Sequence, residues 1–254
     1  MTVKLSQIIK YSTPLRSEAE ADASVQTECL FGESVEIIEI KDNFSYCSCI
    51  IDNYKGWILS EDLGKFLPTS HIVSSVRTFI QKEPDVKSSI IFSLPFAAQI
   101  TATNTVNQWL EIVIKDQFSG FIPLKHISKI DENHIDWVST AEKLINTPYK
   151  WGGRDCLGID CSALIQLSLQ LSGISFPRDT IEQEKVNWQI INKKSLLTRG
   201  SLVFWKGHVG VMLDKENILH ANASSMCVNI ERLDVVEGRH HQQNLGSITK
   251  MMKL

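Results

Sequence analysis

The chain has 254 residues, 43% hydrophobic and 22% charged, the balance of an ordinary globular protein with room for one large domain or two to three small ones. A formal charge of −3, a pI near 6.2 and the lack of any Lys/Arg block exclude nucleic acid as the main partner, because a phosphate backbone calls for a concentrated basic surface. No run approaches a membrane span, and Leu5-Ser6-Gln7-Ile8-Ile9-Lys10 is too short and interrupted for a signal peptide's apolar core. The expected location is therefore cytoplasmic, with no membrane partner.

The first half reads as short strands separated by turns, and it repeats itself. Leu15-Arg16 has a counterpart in Val76-Arg77, and Lys55-Gly56-Trp57-Ile58 in Ser119-Gly120-Phe121-Ile122. Val35–Ile40 and Trp109–Ile114 each read as strand. Two small β-barrels fit, over residues 1–66 and 67–130, against the alternative of chance likeness between β-rich segments. Cys47 and Cys49 alternate along a strand and share a face. They read as small buried hydrophobes, since no further ligands stand at zinc spacings. With six cysteines in a chain of this length there is no pattern of a disulfide framework, and no metal is expected.

Ile130-Asp131-Glu132-Asn133 reads as a polar link, after which the pattern becomes α+β over residues 131–254. A helix is expected from Asp136 to Ile145, ended by Pro148. A second helix opens at Cys161, runs to about Leu171 and stops at Gly173. Residues 201–205, 208–213 and 218–221 read as antiparallel strands, the last two joined by a turn at Asp214-Lys215-Glu216-Asn217. A helix facing such a sheet would bring Cys161 and His208 together.

Cys161 at a helix start feels the positive end of the backbone dipoles, a setting that favours the thiolate nucleophile. His208 would hold the thiolate and protonate a leaving nitrogen, and His220 would fix the tautomer of His208. The Cys161 N–H and the Tyr149 hydroxyl are candidate oxyanion donors. The competing reading is a buried structural cysteine with a strand-end and a core histidine, which the polar neighbours Asp160 and Ser162 argue against. His71, His126, His134 and the pair His240-His241 in a polar tail read as surface or capping residues. Cys156 lies five residues before Cys161 without a base partner, and no Gly-x-Ser-x-Gly elbow supports serine catalysis.

Pro148-Tyr149-Lys150-Trp151-Gly152-Gly153, Gly158-Ile159-Asp160-Cys161-Ser162, Pro177-Arg178-Asp179-Thr180, Leu202–Gly210 and Leu219-His220-Ala221-Asn222-Ala223 together resemble the NlpC-type papain-like cysteine peptidases that cleave bacterial cell-wall peptides. The resemblance implies a helix packed on an antiparallel sheet, a Cys161–His208–His220 triad and Tyr149 near the oxyanion site. Two positions depart from the family pattern: Ala163 stands where glycine is usual, and Ser201 where aspartate is. The repeated first half resembles the bacterial SH3-like domains that often precede this module.

One branch of the family, the γ-D-glutamyl-L-diamino-acid endopeptidases, uses its first SH3-like domain to cap the cleft. That likeness implies that Asp160 and Ser162 grip the substrate's ammonium, joined by Glu33 and Tyr54. It also makes Arg178 and Thr180 partners for the D-glutamate carboxylate. The expectation is a cofactor-free cysteine endopeptidase acting on short murein-derived peptides with a free N-terminal L-Ala, in wall recycling. Its rivals are an exported hydrolase of intact peptidoglycan, an acyltransferase using the same triad, and an inactive wall-peptide-binding module. The sequence leaves the oligomeric state and the identity of the diamino acid open.

Overall fold

The computed structural model describes residues 4–115, 118–130 and 136–254. From Asp131 on, the expected polar link lies outside the described residues, as does His134. The chain divides into two compact units, Met1–Asn133 with Arg154–Cys156 and His134–Gly153 with Leu157–Leu254.

In the N-terminal unit, β1 (Lys4–Ile8), β2 (Ser12–Arg16), β3 (Val25–Leu30), β4 (Ser34–Lys41), β5 (Phe44–Cys49), β6 (Lys55–Leu59) and β7 (Leu63–Lys65) make one sheet. Its order is β3-β2-β6-β5-β4-β1-β7. A second sheet holds β8 (His71–Val73), β9 (Arg77–Gln81), β10 (Ile90–Pro95), β11 (Gln99–Val106), β12 (Trp109–Lys115), β13 (Phe118–Pro123) and β14 (Ile127–Lys129). Its order, β10-β9-β13-β12-β11-β8-β14, is the same arrangement seven strands later. Even the bulge recurs, between Ile37 and Glu39 in β4 and between Ala102 and Asn104 in β11.

The glycines fix which residues correspond. A Cβ on Gly56 would strike Leu15 and the Arg16 carbonyl; one on Gly120 would strike Ile80 and the Gln81 carbonyl. Gly56 and Gly120 are thus equivalent, as the sequence suggests, and Leu15 pairs in role with Ile80, both fully buried. The Leu15-Arg16 and Val76-Arg77 anchor is corrected: Arg16 closes β2 whereas Arg77 opens β9. Its likeness is one of residue type and not of position.

Each sheet closes on its own core. The first contains Ile8, Leu15, Val35 and Ile58 with Cys29, Cys47 and Cys49, so Cys47 and Cys49 are small buried hydrophobes. The second contains Ile80, Leu94, Ile100, Ile112 and Ile122 and also takes Phe31 from the first repeat, its ring 5.8 Å from Phe92. Gly32 makes this insertion possible. Its φ is +79°, and a Cβ there would lie 1.8 Å from the Gln99 carbonyl oxygen.

The C-terminal unit contains α1 (Trp137–Glu142), β16 (Gly158–Ile159), α2 (Cys161–Gln170), α3 (Thr180–Lys185), β17 (Gln189–Ile190), β18 (Leu202–Trp205), β19 (His208–Met212), β20 (Asn217–Asn222), β21 (Cys227–Arg232), α4 (Leu233–Gln242) and β22 (Lys250–Lys253). The two-residue strand β15 (Arg154–Asp155), between α1 and β16 in the chain, clusters with the N-terminal unit. The C-terminal sheet is antiparallel in the order β17-β22-β18-β19-β20-β21.

Helix α1 starts on the Asp136 cap, as expected, but ends at Glu142 and not Ile145. Asn146 adopts φ +70° and its N–H goes to the Val228 carbonyl, which turns the chain out of the helix before Pro148 is reached. Helix α2 ends where glycine predicts: Gly173 has φ +74°, and the Ile174 N–H returns to the Leu169 carbonyl.

Register places Trp205 opposite His208, Val203 opposite Gly210, Met212 opposite Ile218 and His220 opposite Asn229, so these side chains share one face of the sheet. Helix α4 covers that face by packing Leu233 and Val236 against Val203, Trp205, Met212 and Ile218. Burying two such side chains contributes about 1.5–3 kcal/mol each. The alternate positions Val209, Val211, Leu219 and Ala221 are equally buried, and α2 packs on β19 and β20.

Candidate active site

Cys161 is the first residue of α2, and Asp160 caps that helix by accepting the Ala163 N–H at 2.8 Å. The carboxylate also accepts from the Gly152 N–H at 3.0 Å and from both terminal nitrogens of Arg178, at 3.0 and 2.6 Å. Ser162 joins them, its hydroxyl donating to Asp160 and accepting from Arg178 at 2.8 Å. The Arg178 guanidinium is 3% exposed. Its fork grips Asp160, so Arg178 and Asp160 form one paired unit beside Cys161. Hydrogen bonding from Thr180, buried at the start of α3, favours the Cys161 thiolate.

Hydrogen bonding from the Val209 N–H favours the thiolate too, and α2, which Cys161 opens, packs on β19. Even so, burial pushes the Cys161 thiol up to about 11, with the Asp160 charge adding to the rise. Burial and the Asp160 charge thus oppose the thiolate that the helix dipole favours. The same carboxylate that starts the helix offsets the positive end of its dipole, and the buried sulphur has lost its water.

The histidines form a chain. His208 Nε2 lies 2.9 Å from His220 Nδ1, and His220 Nε2 lies 2.9 Å from Glu231 Oε2. Arg239 on α4 grips Glu231 with both terminal nitrogens. Hydrogen bonding to Arg239 holds the Glu231 carboxyl below its ordinary range, so it is an acceptor only. His220 must then carry its proton on Nε2 and accept on Nδ1. His208 in turn donates from Nε2, and its Nδ1 keeps a free lone pair. Burial drives His208 down to about 3, so this imidazole is neutral and ready to accept a proton. Asn222, anchored to Asn229 at 2.7 Å, lies 3.1 Å from His220 Nε2.

Gly210 sits on the same face between the two histidines. A Cβ there would lie 3.1 Å from the His220 Cβ and 2.7 Å from Ile218. The absent side chain leaves the space against which the His220 Cβ packs.

Tyr149, His208 and His220 line a cavity of about 410 Å³ with residues of α4, Arg239 and His240 among them. Burial raises the Tyr149 hydroxyl to about 12, so it remains a hydrogen-bond donor. His240 corrects the reading of a polar surface tail. Its ring lies 5.0 Å from Trp205 and 5.9 Å from His208, while His241 is exposed as expected. His71 Nδ1 lies 2.9 Å from the Ser70 hydroxyl, and His126 Nδ1 lies 2.8 Å from that of Thr78.

Glu33 and Tyr54 belong to the N-terminal unit. Glu33 is 2% exposed, accepts the Leu30 N–H at 2.9 Å and is gripped by Arg154 at 2.8 and 2.9 Å. It is not a solvated turn residue. Arg154, equally buried, also bonds the Glu28 carbonyl at 2.9 Å. Tyr54 is half-buried beside the first barrel core. The Cys156 sulphur lies 3.5 Å from the Tyr11 hydroxyl.

Sequence reasoning missed Glu231, Arg239, His240 and Arg154. For Glu231 a signal existed: a strand partner of the His220 strand, read in register, carries an acid on the same face.

Comparison with known proteins places both halves of the chain in families. Residues 146–247 match the NlpC/P60 family, and residues 15–63 match the bacterial dipeptidyl-peptidase SH3 domain. Dipeptidyl-peptidase 6 of Lysinibacillus sphaericus is 26% identical over 97% of this chain and 98% of its own length. The γ-D-glutamyl-L-lysine dipeptidyl-peptidase of Bacillus subtilis is 25% identical over 82% of this chain and 76% of its own. The crystal structure of an NlpC/P60 family protein from Bacillus cereus shares the fold, with a TM-score of 0.83 at 15% identity over 98% of this chain and 99% of that one. With an SH3 domain in its N-terminal half and an NlpC/P60 domain that carries Cys161, His208 and His220, the chain is a cysteine peptidase of α+β fold.

Proposed function

We propose that the protein is a γ-D-glutamyl-L-diamino-acid endopeptidase that cuts short murein stem peptides bearing a free N-terminal L-Ala. One observation carries the reading: Cys161 opens α2, which packs on β19 and β20, the strands whose His208 and His220 lie 2.9 Å apart. The names of the two long-matching relatives, both dipeptidyl-peptidases, support the substrate class.

In this mechanism the neutral His208 takes the Cys161 proton as the sulphur attacks the γ-carbonyl carbon. The carbonyl pair moves to oxygen, where the Cys161 N–H and the Tyr149 hydroxyl donate to it. Collapse breaks the C–N bond, and the imidazolium returns its proton to the departing amine. Water, deprotonated by His208, then hydrolyses the thioester and frees the thiol. His220 and Glu231 hold the His208 tautomer throughout.

Asp160 and Ser162 receive the substrate ammonium, with Arg178 holding them in place. Kinetics on the peptide and its N-acetyl derivative test it. The acetyl derivative should lose at least about tenfold in kcat/KM, the size of one charge-assisted contact; equal cleavage of both overturns the ammonium reading. Recycling in the cytoplasm is part of the same proposal. Cell fractionation checks it, and recovery of the protein with the wall would contradict it.

A further inference from the structure

The cavity beside the histidines carries a charge pattern that the proposed reaction does not yet use. It begins at His208 and His220 and extends to Lys206, Arg239, His240 and Gln243. If His208 hands its proton to the departing amine, the residue bearing that amine lies on the His208 side, where this cavity is. No carboxylate lines it among the described residues. Arg239 reaches it with its charge already met by Glu231, and burial keeps His208, His220 and His240 toward the neutral form. Lys206 is the remaining cation.

Its position is set by the fold. Lys206 and Gly207 form the two-residue turn between β18 and β19, directly after Trp205 and before His208, which pair across the hairpin. Gly207 takes φ +74°, the conformation that closes such a tight turn. The ammonium is exposed and has no ion pair among the described residues.

We propose that this cavity seats the leaving-side diamino acid and that Lys206 receives a carboxylate of that residue. A side chain ending only in an ammonium would meet a like charge there and no acid. A carboxylate meets a cation with no competing partner. The inference rests on the endopeptidase reading above and deepens it. Two carboxylates could answer: the α-carboxylate of a diamino acid at the peptide's C-terminus, or the distal carboxylate that diaminopimelate has and lysine lacks.

The test compares wild type with Lys206→Met and Lys206→Glu on four peptides. These are L-Ala-γ-D-Glu-diaminopimelate, its α-carboxamide, its distal monoamide, and the lysine peptide. The wild-type preference for the free diaminopimelate peptide over one of the amides should fall about 2- to 5-fold in Lys206→Met, mainly through KM, the scale of an exposed ion pair. In Lys206→Glu the preference should invert. The amide that erases the difference identifies which carboxylate is read. If both variants change all four peptides by one common factor, the carboxylate subsite is overturned and the peptidase reading stands. If wild type cleaves none of the four, both fall.

Discussion

Replacing Glu231 by glutamine probes the far end of the histidine chain without touching a group that meets substrate. The side chain keeps its shape, but the carboxylate that accepts from His220 Nε2 at 2.9 Å becomes a neutral amide. A charge-assisted hydrogen bond is roughly twice as strong as a neutral one, so about 1–2 kcal/mol of orientation energy is lost. If the new amide turns its NH2 toward Nε2, the proton of His220 shifts to Nδ1. His208 must then carry its own proton on Nδ1 and loses the lone pair that accepts from the thiol. The expected loss is about 5- to 30-fold, carried by kcat with little change in KM. Steady-state kinetics measure it, with denaturant unfolding as the control, since Arg239 also loses its partner. Rescue by Glu231→Asp above the glutamine variant is expected. A kcat within about twofold of wild type would refute the tautomer argument, because about 0.4 kcal/mol is smaller than any loss of a charged acceptor at this site.

Three further outcomes follow from the same geometry. Because the Cys161 thiol is raised to about 11 and His208 lowered to about 3, thiolate is scarce at neutral pH and grows only as pH rises. Alkylation of the free protein by iodoacetamide should climb steadily into the alkaline range; a plateau at mildly acidic pH would reveal a preformed ion pair instead. Glu33→Ala leaves Arg154 buried without its partner and should destabilise the N-terminal unit by about 3–5 kcal/mol, read by urea unfolding. A loss under about 1 kcal/mol would contradict the pairing. Gly210→Ala places a Cβ 3.1 Å from that of His220 and should lower kcat as well as costing about 1–3 kcal/mol of stability. Unchanged kcat would show that the histidine does not depend on that space.

The sequence disclosed what depends on local pattern. The two helices at Asp136 and Cys161, the strands around His208 and His220, and the Gly56 and Gly120 equivalence were all legible, because caps, turn residues and period-2 burial are written within a few positions. What it hid depends on contacts between distant segments. The Leu15 and Ile80 equivalence is set by which side chain each glycine accommodates, and a likeness of dipeptides pointed elsewhere. His240 sits in a polar stretch beyond Leu233, Val235 and Val236, so its approach to Trp205 could not be foreseen. The state of the thiol turns on a related balance. The helix dipole is a local property, but burial and the Asp160 charge are properties of the assembled site.

The account stands most directly on cleavage of L-Ala-γ-D-Glu-diaminopimelate, followed by release of the free diamino acid, with wild type beside Cys161→Ala and His208→Ala. Wild type should yield L-Ala-D-Glu and diaminopimelate in equal amounts, and both variants should lose at least about a thousandfold in kcat, as removal of a nucleophile or its base does. Release of diaminopimelate by Cys161→Ala at a rate near that of wild type would contradict the central claim.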